Sequence, residues 1–129
     1  MSFERQIIST NKAPTAVGPY SQAVRVGQFI YTAGQIPLVP ETGKLVAGGI
    51  ETQTYQVMQN LANVLESGGS NLANIVKTTI YVTNLGDFAT INQVYGTFFN
   101  HQPPARSTVQ VVALPLGANI EIEAVAIIS

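Results

Sequence analysis

The closing run of the chain, Ile120–Ile128 (IEIEAVAII), alternates so strictly that it admits few folds. As a strand it sends Ile120, Ile122, Ala124, Ala126 and Ile128 to one side, and Glu121, Glu123, Val125 and Ile127 to the other. The first set is wholly apolar and calls for helices packed over it. The second is half carboxylate and half aliphatic, a poor surface for open water. A sheet built around this strand therefore has one face under helices and another in want of a partner, and closed symmetric association of copies is the expected remedy. Composition points the same way. The chain is 46% apolar and 10% charged, against the roughly 25% charged residues usual in soluble domains, so it has too little charge to cover its own surface.

Periodicity supplies the helices. Over Ile50–Ser67, residues Ile50, Thr54, Val57, Leu61, Val64 and Leu65 fall on one stripe, with Gln53, Gln56, Asn60 and Asn63 mostly off it and Gly68-Gly69 as the stop. Asp87–Phe99 reads as a second helix with Phe88, Ile91, Val94, Tyr95 and Phe98 inward, capped from among Asn84–Asp87 and ended by Asn100–Pro104. Val76–Thr83 is β-branched and alternating, hence a strand. Ala23–Val26 and Phe29–Thr32 flank Gly27-Gln28, whose leading glycine suits a type II′ hairpin turn. Arg5–Ser9 is a short strand candidate and Asn11–Ser21 an ordered loop. The segment from Ala33–Pro37 through Gly49 carries no defensible element. Ser107–Val112, a Pro/Gly turn over Leu114–Asn119, and Ile120–Ile128 close the chain. This order predicts one α+β domain over residues 1–129, a mixed sheet with both helices on one face.

Several function classes are disfavoured. Net charge is −1 and the six Lys and Arg are scattered, which argues against nucleic acid as the main partner, since phosphate binding needs concentrated positive charge. With no cysteine and one histidine, no thiol nucleophile or metal-ligand set can be assembled, and no phosphate-loop or dinucleotide fingerprint occurs. His101 sits beside prolines as a loop residue, and Ser107 lacks the base and acid a nucleophile needs. The charged N-terminus is not that of a signal peptide and no run is long enough to span a bilayer, so a soluble, cytoplasmic protein is expected.

The chemistry concentrates in Pro103–Glu123. Arg106 stands before a β-like run, and a guanidinium presents a planar fork that grips carboxylates bidentately. Glu121 lies on the strand face expected to be covered, where a carboxylate finds a partner or takes up a proton. By residue type alone Arg106 is a surface cation, Tyr20 an aromatic plug in a Gly-Pro turn and Asn92 a solvated helix amide.

The string PPARSTVQVV…LPLGANIEIEAVAI resembles the C-terminal signature of the RidA/YjgF family of reactive-intermediate deaminases. GPYSQAV (Gly18–Val24), YTAGQIP (Tyr31–Pro37) and FATIN (Phe88–Asn92) resemble its other segments, so the likeness runs nearly end to end. Two departures stand out: Thr108 where many members have cysteine, and Ala33 where many have serine. The resemblance implies a chorismate-mutase-like fold and a homotrimer with a cleft at each subunit boundary. It implies a cofactor-free and metal-free hydrolysis of 2-iminopropanoate and 2-iminobutanoate, released by pyridoxal-phosphate dehydratases, to 2-keto acids and ammonia. Arg106 and Glu121 are its catalytic pair, and Tyr20, Ala33, Gly34, Asn92, Arg106 and Thr108 its substrate-binding set. A non-catalytic keto- or amino-acid binder and an RNA-acting or interaction role are the other readings. One geometric difficulty is visible in advance. If the last two strands formed a simple hairpin, Arg106 and Glu121 would lie some four residues apart along the ladder, more than about 10 Å. Either another strand, Val76–Thr83, lies between them or a neighbouring subunit completes the pocket.

Overall fold

The computed structural model describes residues 4–129; the first three residues of the N-terminal stretch, and so part of the reading made of it, lie outside the described residues. The elements in chain order are β1 (Gln6–Ile8), β2 (Ala23–Val26), β3 (Phe29–Thr32), β4 (Leu38–Val39), β5 (Lys44–Leu45), α1 (Ile50–Ser67), β6 (Ile75–Val82), α2 (Phe88–Gly96), β7 (Ala105–Gln110) and β8 (Ile120–Ile127). Six strands form one sheet in the order β1-β2-β3-β8-β6-β7, with β6 and β7 parallel and the other pairs antiparallel. Both helices cover the same face, as expected of a mixed α+β sheet.

The alternation of β8 is realised as read. Ile120, Ile122, Ala124 and Ala126 are buried in a core shared with Val57, Leu61, Val64 and Leu65 of α1 and Ile91 and Tyr95 of α2. The β2–β3 hairpin pairs Val26 with Phe29. Its Gly27 has φ +58°, as the first central position of a type II′ turn requires.

Four expectations need correcting. The stretch after Ala33 is not featureless: Leu38–Val39 pairs with Lys44–Leu45, and Gln35 bridges to Ile122 by two backbone hydrogen bonds of 2.8 and 3.1 Å. These strands are two residues long, too short to show alternation. Next, β7 begins two residues earlier than expected, at Ala105, so Arg106 is inside the strand opposite Thr78 rather than before it. Helix α2 is shorter than Asp87–Phe99. It follows a 3-10 turn, Leu85–Asp87, in which Asn84 Oδ1 accepts from the Gly86 N–H at 2.8 Å. Phe88 is 41% exposed rather than inward. Finally, Gln53 and Asn60 of α1, expected off the buried stripe, are buried, because each hydrogen-bonds backbone outside the helix: Asn60 the carbonyls of Ile36 and Leu38, and Gln53 the Asn119 N–H.

Candidate active site

Register decides how the charged residues are placed. Arg106 pairs with Thr78 on β6, and Glu121 pairs with Tyr81 on the same strand. Strand β6 thus does lie between them, and the offset along it is three residues. Directly paired residues share a face, and an odd offset reverses it. Arg106 therefore lies on the helix-covered face and Glu121 on the open one. Within one chain they do not meet.

Around Arg106 the helix side supplies aromatic walls. The guanidinium carbon is 5.2 Å from the Tyr95 ring centroid and 5.4 Å from that of Phe88, within cation–π range. Tyr95 is fixed by a 2.8 Å hydrogen bond shared with the buried Thr78 hydroxyl, and burial pushes its phenol up from the usual value, more than Thr78 and Arg106 lower it. Phe88, Asn92 and Tyr95 fall on one stripe of α2 at i, i+4 and i+7. Thr108 is two residues beyond Arg106 and so on the same face of β7. Asn92 Oδ1 and Thr108 Oγ1 are both buried without a hydrogen-bond partner. An orphaned buried polar atom costs roughly 1–3 kcal/mol, and two on the same sheet side as a guanidinium that lies over two rings leave hydrogen-bonding capacity for a ligand.

On the other face, Tyr20, Ala33, Gly34 and Glu121 line a cleft of about 460 Å³. Tyr20 is half-exposed at its lip, its hydroxyl accepting from the Val17 N–H at 3.3 Å. A Cβ on Gly34 would sit 2.5 Å from Glu121 Oε2, so a side chain at position 34 would force the Glu121 carboxylate to move. Burial first, and the Glu123 charge second, raise the Glu121 carboxyl above its ordinary 4.5. Tyr81 donates to Glu123 Oε1 at 3.2 Å, and burial together with that carboxylate raises its phenol.

The six expected binding residues thus divide into two groups, Tyr20, Ala33 and Gly34 with Glu121, and Asn92 and Thr108 with Arg106. Sequence reading missed the aromatic cradle of Phe88 and Tyr95, though their spacing from Asn92 was a usable signal. It also missed Tyr81 and Glu123, and the apolar cleft wall from Pro14, Ile36, Leu38 and Leu116, whose loops carry no pattern. His101 belongs to neither group. Among the described residues no group of three or more His, Cys, Asp and Glu is placed to hold a metal, and no helix is long and apolar enough to cross a membrane.

These features define a small α+β protein with a divided polar site. The family profile described as Endoribonuclease L-PSP matches residues 10–128. The human 2-iminobutanoate/2-iminopropanoate deaminase is 48% identical over 126 residues, covering 98% of this chain and 92% of the relative. Among solved structures, RidA from an Antarctic Psychrobacter superposes with a TM-score of 0.92 at 44% identity, over 95% of this chain and 99% of that one. TdcF of E. coli with bound serine gives a TM-score of 0.92 at 42% identity, over 96% and 99%. The chain belongs to the RidA/YjgF, or Endoribonuclease L-PSP, family.

Proposed function

We propose that this protein hydrolyses reactive 2-imino acids such as 2-iminopropanoate and 2-iminobutanoate to 2-keto acids and ammonia, the activity named for its mammalian relatives. The observation that carries the reading is the pair of unfinished half-sites. One holds a guanidinium on the same face as two orphaned polar atoms, suited to a carboxylate; the other holds a half-buried carboxyl in a cleft, its pKa raised by burial.

The two are joined by a second copy. The open sheet face exposes Phe29, Tyr31, Val109 and Ile127, and we assign it to a homotrimer in which Arg106, with β7 and α2 at the sheet edge, closes the Glu121 cleft of a neighbour. Arg106 holds the substrate carboxylate. Water adds its oxygen to C2, its proton passes to Glu121, and the C=N electron pair moves to nitrogen. Glu121 then returns the proton to nitrogen. The carbinolamine O–H gives its proton to the Glu121 carboxylate as its electron pair forms the C=O of the 2-keto acid, and the C2–N bond breaks with its electron pair leaving on ammonia. A protonated imine is already electrophilic, so positioning supplies most of the acceleration. No cofactor takes part, and the setting is the cytoplasm, where pyridoxal-phosphate dehydratases release such imines.

The test couples a serine/threonine dehydratase to this protein and follows imine decay against keto-acid formation. Acceleration of both is expected; keto-acid binding without imine loss would instead make the protein a carboxylate sensor.

The carboxyl direction gives a pH prediction. Glu121 must be ionised to accept the proton, so kcat/KM falls as pH falls, with a midpoint above 4.5. Glu123→Gln removes one repulsion and should move that limb to lower pH. For stability the sign is opposite to that of a salt-bridged acid. A raised carboxyl favours the folded state when protonated, and that contribution is lost as pH rises from 4.5 through the folded value. A pH series of rates and of melting temperatures checks both.

A further inference from the structure

We propose that three buried amide side chains, Gln22, Gln53 and Asn60, are positioning residues that fix the apolar wall of the cleft and so set which 2-imino acid side chains are accepted. This rests on the deaminase reading and extends it. Every 2-imino acid carries the same carboxylate and C=N group, which Arg106 and Glu121 address; only the remaining substituent differs. Beside the polar Thr15, Gln22 and Gln35, the cleft surface left to sense it is Pro14, Val17, Ile36, Leu38, Pro115 and Leu116, an apolar wall suited to an aliphatic group. None of these six belongs to the six-stranded sheet. They come from three loops, and loops hold shape only if their inward backbone groups find partners.

Each loop is pinned by one amide. Gln22, only 4% exposed, donates from Nε2 to the carbonyls of Thr10, Ala13 and Pro14 at 3.0, 3.4 and 2.8 Å, and its Oε1 accepts from the Thr10 N–H at 2.7 Å. It ties the first wall loop to β2 and belongs to the Gly18–Val24 motif, in which the chemistry uses only Tyr20. Asn60, fully buried on α1, donates from Nδ2 to the carbonyls of Ile36 and Leu38 at 3.3 and 2.9 Å and accepts from Gln56 Nε2 at 3.0 Å. Gln53, two turns earlier on the same helix face, accepts the Asn119 N–H at 3.1 Å and steadies the end of the Pro115–Leu116 loop. That loop has Leu116 at φ +58°, a left-handed conformation unfavourable for leucine. An amide donates and accepts at once, which suits it to a backbone that shows both groups. The burial of two amides on a helix stripe that otherwise reads apolar then has a function.

The test uses the full chain with Gln22→Met, Asn60→Leu and Gln53→Met, each removing the hydrogen bonds while keeping an apolar filler. Imines are generated in place by an L-amino-acid oxidase, 2-iminopropanoate from alanine and 2-imino-4-methylpentanoate from leucine. The readout is the ratio of kcat/KM for the longer to the shorter imine. A softened wall should lower the ratio about tenfold in Gln22→Met and Asn60→Leu, the scale of one or two methylene contacts, and by less in Gln53→Met, which loses one bond. General loss of folded protein scales both rates equally and leaves the ratio in place. A ratio within about twofold of wild type in every variant that folds overturns the proposal, and Gln53→Met, the mildest change, decides if the other two fail to fold. If wild type hydrolyses neither imine, the deaminase reading falls separately. Calorimetry with pyruvate and 4-methyl-2-oxopentanoate then tests the wall: the affinity difference collapsing in the variants supports it, and its persistence overturns it.

Discussion

Arg106→Lys is expected to lower kcat/KM by about 2–3 kcal/mol, the size of a charged hydrogen bond to a partly buried partner. Lysine keeps the positive charge against the Phe88 and Tyr95 rings but loses the planar fork, so the substrate carboxylate is held at one point and swings. Arg106→Ala should cost more and also abolish binding of keto-acid products, since only the orphaned Asn92 and Thr108 atoms remain on that side. Glu121→Gln keeps the shape against Gly34 but takes no proton, so keto acids still bind while turnover collapses. Binding by calorimetry beside steady-state rates separates the two roles. Imine hydrolysis at the wild-type rate by Arg106→Ala would sink the site assignment.

The second large effect is complementation. Arg106→Ala and Glu121→Gln chains are each expected to be nearly inactive alone, yet trimers assembled from an equal mixture should recover activity. The odd register offset puts the two side chains on opposite sheet faces, and in the proposed trimer each cleft would draw its arginine from one subunit and its glutamate from the next. With random mixing, one cleft in about four receives both intact residues in a cyclic trimer. Recovery of roughly a quarter of wild-type turnover is therefore expected, in particles whose light-scattering mass is three chains. Monomeric mass, or no recovery in proven mixed trimers, would contradict the assignment of the two residues to one shared site.

The sequence showed its fold best where one physical pattern acted alone. The limits of α1 follow from a stripe bounded by glycines, the β2–β3 hairpin from a turn only glycine enters easily, and β8 from strict alternation. It failed where tertiary partners decide. Strand β4 is only two residues long, too short to show a pattern, and is held by the equally short β5 and by Asn60 from the distant α1. The start of β7 shifted because Ala105 and Arg106 have little strand preference and are held by parallel pairing with β6. For the site, the family likeness supplied the candidate residues, and the suspicion that Val76–Thr83 lies between Arg106 and Glu121 held. Their separation onto opposite faces was unreadable, since parity depends on two registers counted through a third strand.

Gly34 follows an unusual logic of substitution. Glycines are ordinarily held in place by backbone angles forbidden to other residues, but no positive φ requires one here. What forbids a methyl at position 34 is the carboxylate of residue 121, eighty-seven positions away in the chain. The two positions form one constraint. A side chain can enter at 34 only if the acid at 121 is shortened or swung aside from its place in the cleft. Genetic variation at this glycine would be read as a backbone defect, yet its effect would be the displacement of the Glu121 carboxylate.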